Sequence, residues 1–181
     1  MTNWRPESPD LYEDVHTKNH YANSDPKKSP EERLRKLWRS SRDSARTPVQ
    51  WDDSENAGFT TGKPWLPVND NYHQINVSSQ EKDPDSLLNF YRKAVSLRKS
   101  LRVVREGAYQ EHFHRSSKLY VYSREAGGQR LLVICSFAHM DTRIRIPRSF
   151  DLRTGKLILQ SHHEISDSIL KPYESRVYFW D

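Results

Sequence analysis

Cysteine occurs once in the 181 residues, at Cys135, so no disulfide can close within the chain and no thiolate metal site can be built. A lone thiol suits a reducing compartment. The opening run Met1-Thr2-Asn3-Trp4-Arg5-Pro6 lacks the apolar stretch of a signal peptide. No segment approaches the ~20 apolar residues of a membrane span. These absences give the expectation of a soluble, cytoplasmic chain with no membrane partner. Apolar residues are also scarce, at 34%, where soluble domains run at about 45–50% on a comparable count. The mean hydropathy of -0.95 agrees. Either part of the chain is disordered, or it packs against apolar elements that the sequence does not supply.

Charge is plentiful and mixed: 29 Lys and Arg against 24 Asp and Glu, for a net +5. The densest basic stretch runs from Arg33 to Arg46, with Glu31, Glu32 and Asp43 interspersed. No nucleic-acid reading motif accompanies it, so it reads as a solvated helix face and nucleic acid is not expected as a partner.

Residues 1–30 are polar and broken by Pro6, Pro9, Pro26 and Pro30, leaving room for one short helix between Leu11 and Tyr21. Ser29-Pro30-Glu31-Glu32 then starts a helix, with Ser29 as cap, Pro30 in the first turn and Glu32 completing a capping box. Leu34, Leu37 and Trp38 share its face, and it ends near Ser40. Residues 41–83 show neither helical nor strand periodicity, and Trp51, Phe59 and Trp65 in this stretch read as packing anchors, with stacking on a sugar as the alternative for Trp51 and Trp65. Asp83-Pro84-Asp85-Ser86 opens the clearest helix, whose Leu87, Phe90, Tyr91, Ala94, Leu97 and Leu101 form a stripe expected to be buried.

From Gly107 the period becomes two. Strands are expected at 109–113, 118–122, 130–137, 142–146, 157–159 and 175–180, with Gly127-Gly128 as a hairpin turn. The run Arg130 to Phe137 is the most apolar and should be central, with Val133, Phe137, Ile144, Val177 and Phe179 inside. The chain therefore divides near residue 104, with helices and loops in front and a small antiparallel sandwich behind.

Ser41-Arg42-Asp43-Ser44-Ala45-Arg46-Thr47-Pro48-Val49-Gln50-Trp51-Asp52 resembles the SRDNARTPMQWD signature of oligo-1,6-glucosidases and related α-glucosidases of the α-amylase superfamily (glycoside hydrolase family thirteen). Asn56 to Trp65 resembles the NAGFTTGKPW that follows it, and Asn71 to Val77 the family's NYKEINV. Asp85 to Lys93 resembles the DSIFNFYRKL helix, and Leu131 to Phe137 the LLVIANF strand. The resemblance covers nearly the whole chain. It implies an α+β fragment: a helix-and-loop remnant of a (β/α)8 barrel at 1–103, with the last barrel helix at about 84–101, followed by a carboxy-terminal β-sandwich at 104–181. A barrel needs about 200 residues or more, so none fits here. Its missing apolar strands would account for the low apolar fraction. Met1-Thr2-Asn3 matches the end of the GQEIGMTN run after the eighth barrel strand, which leads to the expectation of a truncated gene, a split gene or a start codon placed too late.

The resemblance implies a retaining hydrolase of α-1,6- or α-1,4-linked glucose oligosaccharides, with nucleophile, acid/base and transition-state carboxylates on barrel strands that precede Met1. No catalytic residue is therefore assigned in this chain, which is expected to be inactive alone. Glu31-Glu32 and Asp52-Asp53 read as solvated charge. Arg42 matches the family arginine that reaches the terminal glucose; the alternative is a salt bridge fixing the loop, with Asp43 or Asp52 as partner. Arg46 reads as a structural anchor. Asp10 to Asn19 resembles the family's EYRDIETLN, with His16 where the family has a Glu near the aglycone, which leaves linkage preference open. The pairs His112/His114 and His162/His163 lack a third ligand, and the family's calcium loop lies outside this segment, so no metal or cofactor is expected. Glucose oligosaccharide is expected as ligand only when a barrel completes the site, in a split enzyme from a barrel-bearing partner chain. The alternative is a non-catalytic carbohydrate-binding or interaction module built on the sandwich.

Overall fold

The structure is a computed structural model that describes residues 2–181. Met1, the residue matched to an internal methionine of the family, lies outside the described residues. The chain forms two compact units, Met1–Asn89 and Phe90–Asp181.

The first unit is built on α1 (Val15–Ala22) and α2 (Pro30–Ser40). The capping box forms as its sequence requires: Ser29 Oγ accepts the Glu32 N–H at 3.2 Å, and Glu32 Oε2 accepts the Ser29 N–H at 3.1 Å. Leu34 and Leu37 of α2 bury against Trp4 and Tyr12, with Tyr21 and Trp38 at the margin. Trp38 Nε1 donates to the Pro6 carbonyl at 2.9 Å, which fixes the incoming chain on the helix.

The 41–83 connection is held by one buried amide. Gln50 Nε2 donates to Asn71 Oδ1 at 3.0 Å and to the Ile75 carbonyl at 2.6 Å, while the Gln50 carbonyl accepts the Val77 N–H at 2.9 Å. That anchoring supports α3 (Val77–Lys82), a helix the periodicity did not reveal. Val77 is its only apolar residue, and its signal is Asn76, whose side chain accepts the Ser79 N–H at 2.8 Å. Trp51, Phe59 and Trp65 do not pack as anchors: they are 51%, 48% and 78% exposed.

The long helix α4 (Leu87–Ser100) begins later than Asp83-Pro84 suggests. Asp83 Oδ1 accepts the Asp85 N–H in a turn, and Ser86, whose Oγ accepts the Asn89 N–H at 3.2 Å, takes the capping position. No residue of α4 is buried, against the expected buried stripe, and Leu87 is 76% exposed. No helix among the described residues is long and apolar enough to cross a membrane.

The second unit holds every strand among the described residues: β1 (Ala108–His112), β2 (Leu119–Ala126), β3 (Gln129–Ser136), β4 (Thr142–Arg143), β5 (Lys156–Gln160), β6 (Ile169–Leu170) and β7 (Ser175–Trp180). A five-stranded antiparallel sheet runs in the order β1-β2-β3-β7-β5, and β4 pairs with β6 in a two-stranded ribbon. Gly127 and Gly128, at φ 58° and 86°, turn β2 into β3, as a two-residue hairpin requires. The uninterrupted apolar run of β3 follows from burial on both faces. Leu132 and Ile134 pack with Phe150, Leu170 and Tyr178, while Leu131 and Val133 pack with Phe179 and with Val103 of α5 (Arg102–Glu106). The expected strand at 142–146 shrinks to two residues, with Ile144 and Ile146 packing from a loop instead. Phe137 stands just past the end of β3 and is 64% exposed, not inside.

Under this sheet lies a buried ion pair that no sequence pattern indicated. Arg176 Nε donates to Glu174 Oε1 at 2.6 Å, with side chains 1% and 0% exposed. Arg176 also donates to the Ser166 and Ile169 carbonyls, and Glu174 Oε2 accepts the Lys171 N–H at 2.7 Å. Burial alone would raise the Glu174 carboxyl; the Arg176 and Lys171 donors overcome it and hold the pKa below its ordinary value. Arg176→Leu should therefore destabilise the chain by about 3–5 kcal/mol in urea unfolding, because it strands a buried carboxylate. A loss within experimental error would show that the pair carries no structural weight. Leu87→Lys with Tyr91→Lys should lower self-association and hydrophobic-dye binding of the 181-residue chain, since both side chains stand in solvent. Light scattering before and after the change checks it; a wild-type chain that is already a clean, dye-silent monomer would contradict it.

Candidate functional site

The Ser41–Asp52 loop leaves the carboxy-terminal end of α2 and turns at once through a tight helical turn at Asp43–Ala45. Asp43 is 1% exposed, and its Oδ2 accepts two successive backbone N–H groups, Glu13 at 2.8 Å and Asp14 at 2.7 Å. The Trp4 N–H donates to the Ser44 carbonyl at 2.8 Å, so two earlier segments are tied to this loop.

Asp14 is thereby placed to do two things. It caps α1, with Oδ2 accepting the Thr17 N–H at 3.0 Å and the Thr17 hydroxyl at 2.7 Å. Its other oxygen, Oδ1, accepts from Nη2 of Arg42. The carboxylate is 4% exposed while the guanidinium side is 60% exposed. Arg42 is thus gripped at one end by a buried anion and offers its remaining N–H groups outward, a fixed polydentate donor. The salt bridge has neither expected partner: Asp43 is turned inward to the backbone, and Asp52 accepts from the Ser54 N–H and hydroxyl. Asp14 went unrecognised although Asp14-Val15-His16-Thr17 carries the signal, an acidic cap with Thr three residues on.

His16 is exposed on α1, two residues beyond Asp14, with its ring 6.5 Å from that of His20. Arg46 is exposed. The adjacent carboxylates have local duties: Glu31 pairs with Arg35 at 2.6 Å, and Glu32 closes the α2 capping box. His112 Nε2 lies 2.9 Å from Ser123 Oγ, and burial pushes its pKa down. Among the described residues no group of three or more His, Cys, Asp or Glu side chains could hold a metal ion.

An open cavity of about 530 Å³ is walled by Asp10, Leu11 and Glu13, which precede Asp14 in the chain, and by residues from Glu55 to Tyr72. The motifs that carry the family resemblance supply much of its wall.

The α-amylase catalytic-domain profile matches residues 6–107. An oligo-1,6-glucosidase of Parageobacillus thermoglucosidasius is 38% identical over 185 residues, covering 98% of this chain and 33% of the relative. The crystal structure of trehalose-6-phosphate hydrolase from Bacillus licheniformis aligns with a TM-score of 0.90 at 37% identity, over 99% of this chain and 34% of that one. That of trehalulose synthase from Pseudomonas mesoacidophila MX-45 aligns with a TM-score of 0.88 at 33% identity, over 99% of this chain and 33% of that one. The chain spans about a third of the length of these relatives.

The Thr17 donors hold the Asp14 carboxyl below its ordinary pKa against the opposing effect of burial, and Arg42 lowers it further. A depressed carboxyl contributes stability above its unfolded value of about 3.9 and loses it as pH falls through the folded value. Asp14→Asn should thus destabilise the chain at pH 7, and the gap to wild type should close as the pH is taken below about 3.9. Urea unfolding across that range checks it; a gap that stays constant down to pH 2 would contradict it.

Proposed function

The chain belongs to the α-amylase family, and we propose that it forms the carboxy-terminal part of an α-glucosidase that hydrolyses α-1,6- or α-1,4-linked glucose oligosaccharides with retention. The observation that carries this reading is Arg42: a guanidinium in the Ser41–Asp52 signature, held by buried Asp14 and open on its other side. That is the preparation expected of a group that meets a sugar hydroxyl, since donors fixed in advance lose little freedom on binding. In this reading residues 1–103 close the catalytic barrel and 104–181 form the carboxy-terminal sandwich. His16 stands toward the leaving sugar. The half-buried Cys135 thiol, unpaired within the chain, favours a cytoplasmic setting.

Retaining hydrolysis needs a nucleophile and an acid/base carboxyl about 5–5.5 Å apart. Glu31, Glu32 and Asp52 are occupied with caps and local ion pairs. We therefore assign both catalytic groups to a barrel that this chain completes, in the same polypeptide or in a partner. Arg42 would hold the terminal glucose while those carboxylates act. Relatives named for three different reactions share this section, so we place the choice of reaction in the barrel, with His16 as the local influence on linkage. The second reading, a non-catalytic carbohydrate-binding or interaction module, rests on the sandwich of the second unit, which closes its own core.

The 181-residue chain alone should not turn over p-nitrophenyl α-glucoside or isomaltose. Joined to the barrel of an oligo-1,6-glucosidase relative it should, and Arg42→Ala should then lower kcat/KM by about 10²-fold, the order found when one positioned donor is removed. Arg42→Lys should recover little of it, because an ammonium cannot reproduce the planar fork. Turnover by the chain alone that follows the protein through purification, or full activity in Arg42→Ala, would defeat the proposal.

A further inference from the structure

The two units differ in charge. Residues 90–181 hold 17 Lys and Arg against 9 Asp and Glu, while residues 1–89 hold 12 against 15. Between His112 and Phe150 only Glu125 and Asp141 are acidic, and both are engaged, Glu125 with Arg130 at 3.1 Å and Asp141 with Lys171 at 3.0 Å. Arg115, Arg143, Arg145 and Arg148 are exposed, and no carboxylate among the described residues pairs with them.

Ring contacts gather these arginines. The Arg145 guanidinium lies 4.7 Å from the centre of the Phe113 ring and that of Arg130 lies 4.1 Å from Phe150, with the His112 ring 6.4 Å from both phenyl rings. Arg115 sits in a tight turn closed by the Ser116 N–H on the Phe113 carbonyl at 2.7 Å. Arg148 adjoins Ser149, whose carbonyl accepts from Arg130 at 2.9 Å. Phe113 holds φ 56°, a strained setting for a bulky residue. A guanidinium stacked on a ring keeps its N–H edge for a bidentate oxyanion.

The backbone beside them is open. Among the described residues β4 pairs with β6 alone. The Ile144 N–H donates to the Ser168 carbonyl at 2.9 Å, so by antiparallel alternation the backbone groups of Arg143 and Arg145 point to the opposite edge. Ile144 and Ile146 pack into the core, which turns the Arg143 and Arg145 side chains to solvent. We propose that this edge binds an extended acidic peptide segment, which adds a strand beside β4 and sets carboxylates at alternate positions opposite Arg143 and Arg145. A free strand edge is complementary to a peptide backbone and to nothing in a nucleic acid or a lipid headgroup. Phe113 and Phe150 are covered by guanidinium groups, so they offer a single-stranded nucleic acid no stacking platform. Helix α5 packs on the other face of the sheet, with Leu131 and Val133. The proposal is independent of the glucosidase reading.

The full chain should be titrated with a labelled peptide of alternating Thr and Glu, about ten residues long, followed by fluorescence anisotropy. Saturable binding is expected, weakened by added salt. Arg143→Gln with Arg145→Gln should weaken it about tenfold, the sum of two cross-strand charge pairs. Arg115→Gln with Arg148→Gln should weaken it less, and Arg35→Gln, on exposed α2, should leave it unchanged. Far-UV circular dichroism shows that each variant is folded; all five side chains are exposed. A peptide of the same composition with every Glu at one end should bind more weakly, because its carboxylates no longer alternate. Absence of saturable binding, equal binding of the two peptides, or binding untouched by Arg143→Gln with Arg145→Gln would overturn the proposal. Tighter binding of oligothymidylate or of phosphatidylserine vesicles than of the alternating peptide would also overturn it, by making the surface one for nucleic acid or for membrane.

Discussion

Asp43 places a carboxyl group where water hardly reaches and gives it two backbone N–H donors 30 and 29 residues earlier in the chain. A buried carboxylate without such partners would be strongly destabilising; with them, it becomes the fastening of the first unit. It orients Asp14 so that one oxygen caps α1 and the other grips Arg42. It sets Glu13 in the wall of the Trp65 cavity. The neighbouring Ser44 carbonyl receives Trp4, whose ring meets Tyr12 edge-on with centroids 5.8 Å apart. The start of α1, the Arg42 pair and the cavity wall therefore share one anchor, and removing it would disturb all three.

The two units solve the problem of scarce apolar residues differently. The second closes its own core by burying β3 on both faces, with the β4–β6 ribbon and its loops on one side and α5 on the other. The first concentrates its few large apolar groups in a small cluster around Trp4, Tyr12, Leu34 and Leu37. It relies otherwise on buried polar groups that bond to backbone, Gln50 and Asp43 above all. Helix α4 spans the division between the units, and its apolar residues gain no full burial from the chain. An apolar helix stripe is ordinarily buried against another layer, and this chain covers only 33% of its oligo-1,6-glucosidase relative.

Features governed by neighbours in sequence were legible in it. The α2 capping box, the Gly127-Gly128 hairpin and the doubly buried β3 all follow from patterns a few residues long. The family signature singled out Arg42 as a candidate. Features that depend on distant residues were not legible. The Arg42 partner lies 28 residues away, and no spacing rule links the two. Helix α3 has one apolar residue and is held by Gln50, so its period is invisible. Strand β6 is two residues long and owes its place to pairing with β4 and to the carbonyl bonds of Arg176. Trp51, Phe59, Trp65 and Phe137 are exposed against expectation because an aromatic residue's burial is decided by what covers it, not by its own chemistry.

The central claim is that this segment contributes a sugar-contacting arginine to a glucosidase pocket. The most direct measurement is the structure of the chain completed by a family barrel, with isomaltose bound to an acid/base-disabled form. The account predicts that the Arg42 guanidinium, still paired to Asp14, lies within about 2.7–3.2 Å of a hydroxyl oxygen of the terminal glucose. A bound sugar held wholly by barrel residues, with Arg42 facing away from it, would contradict the account.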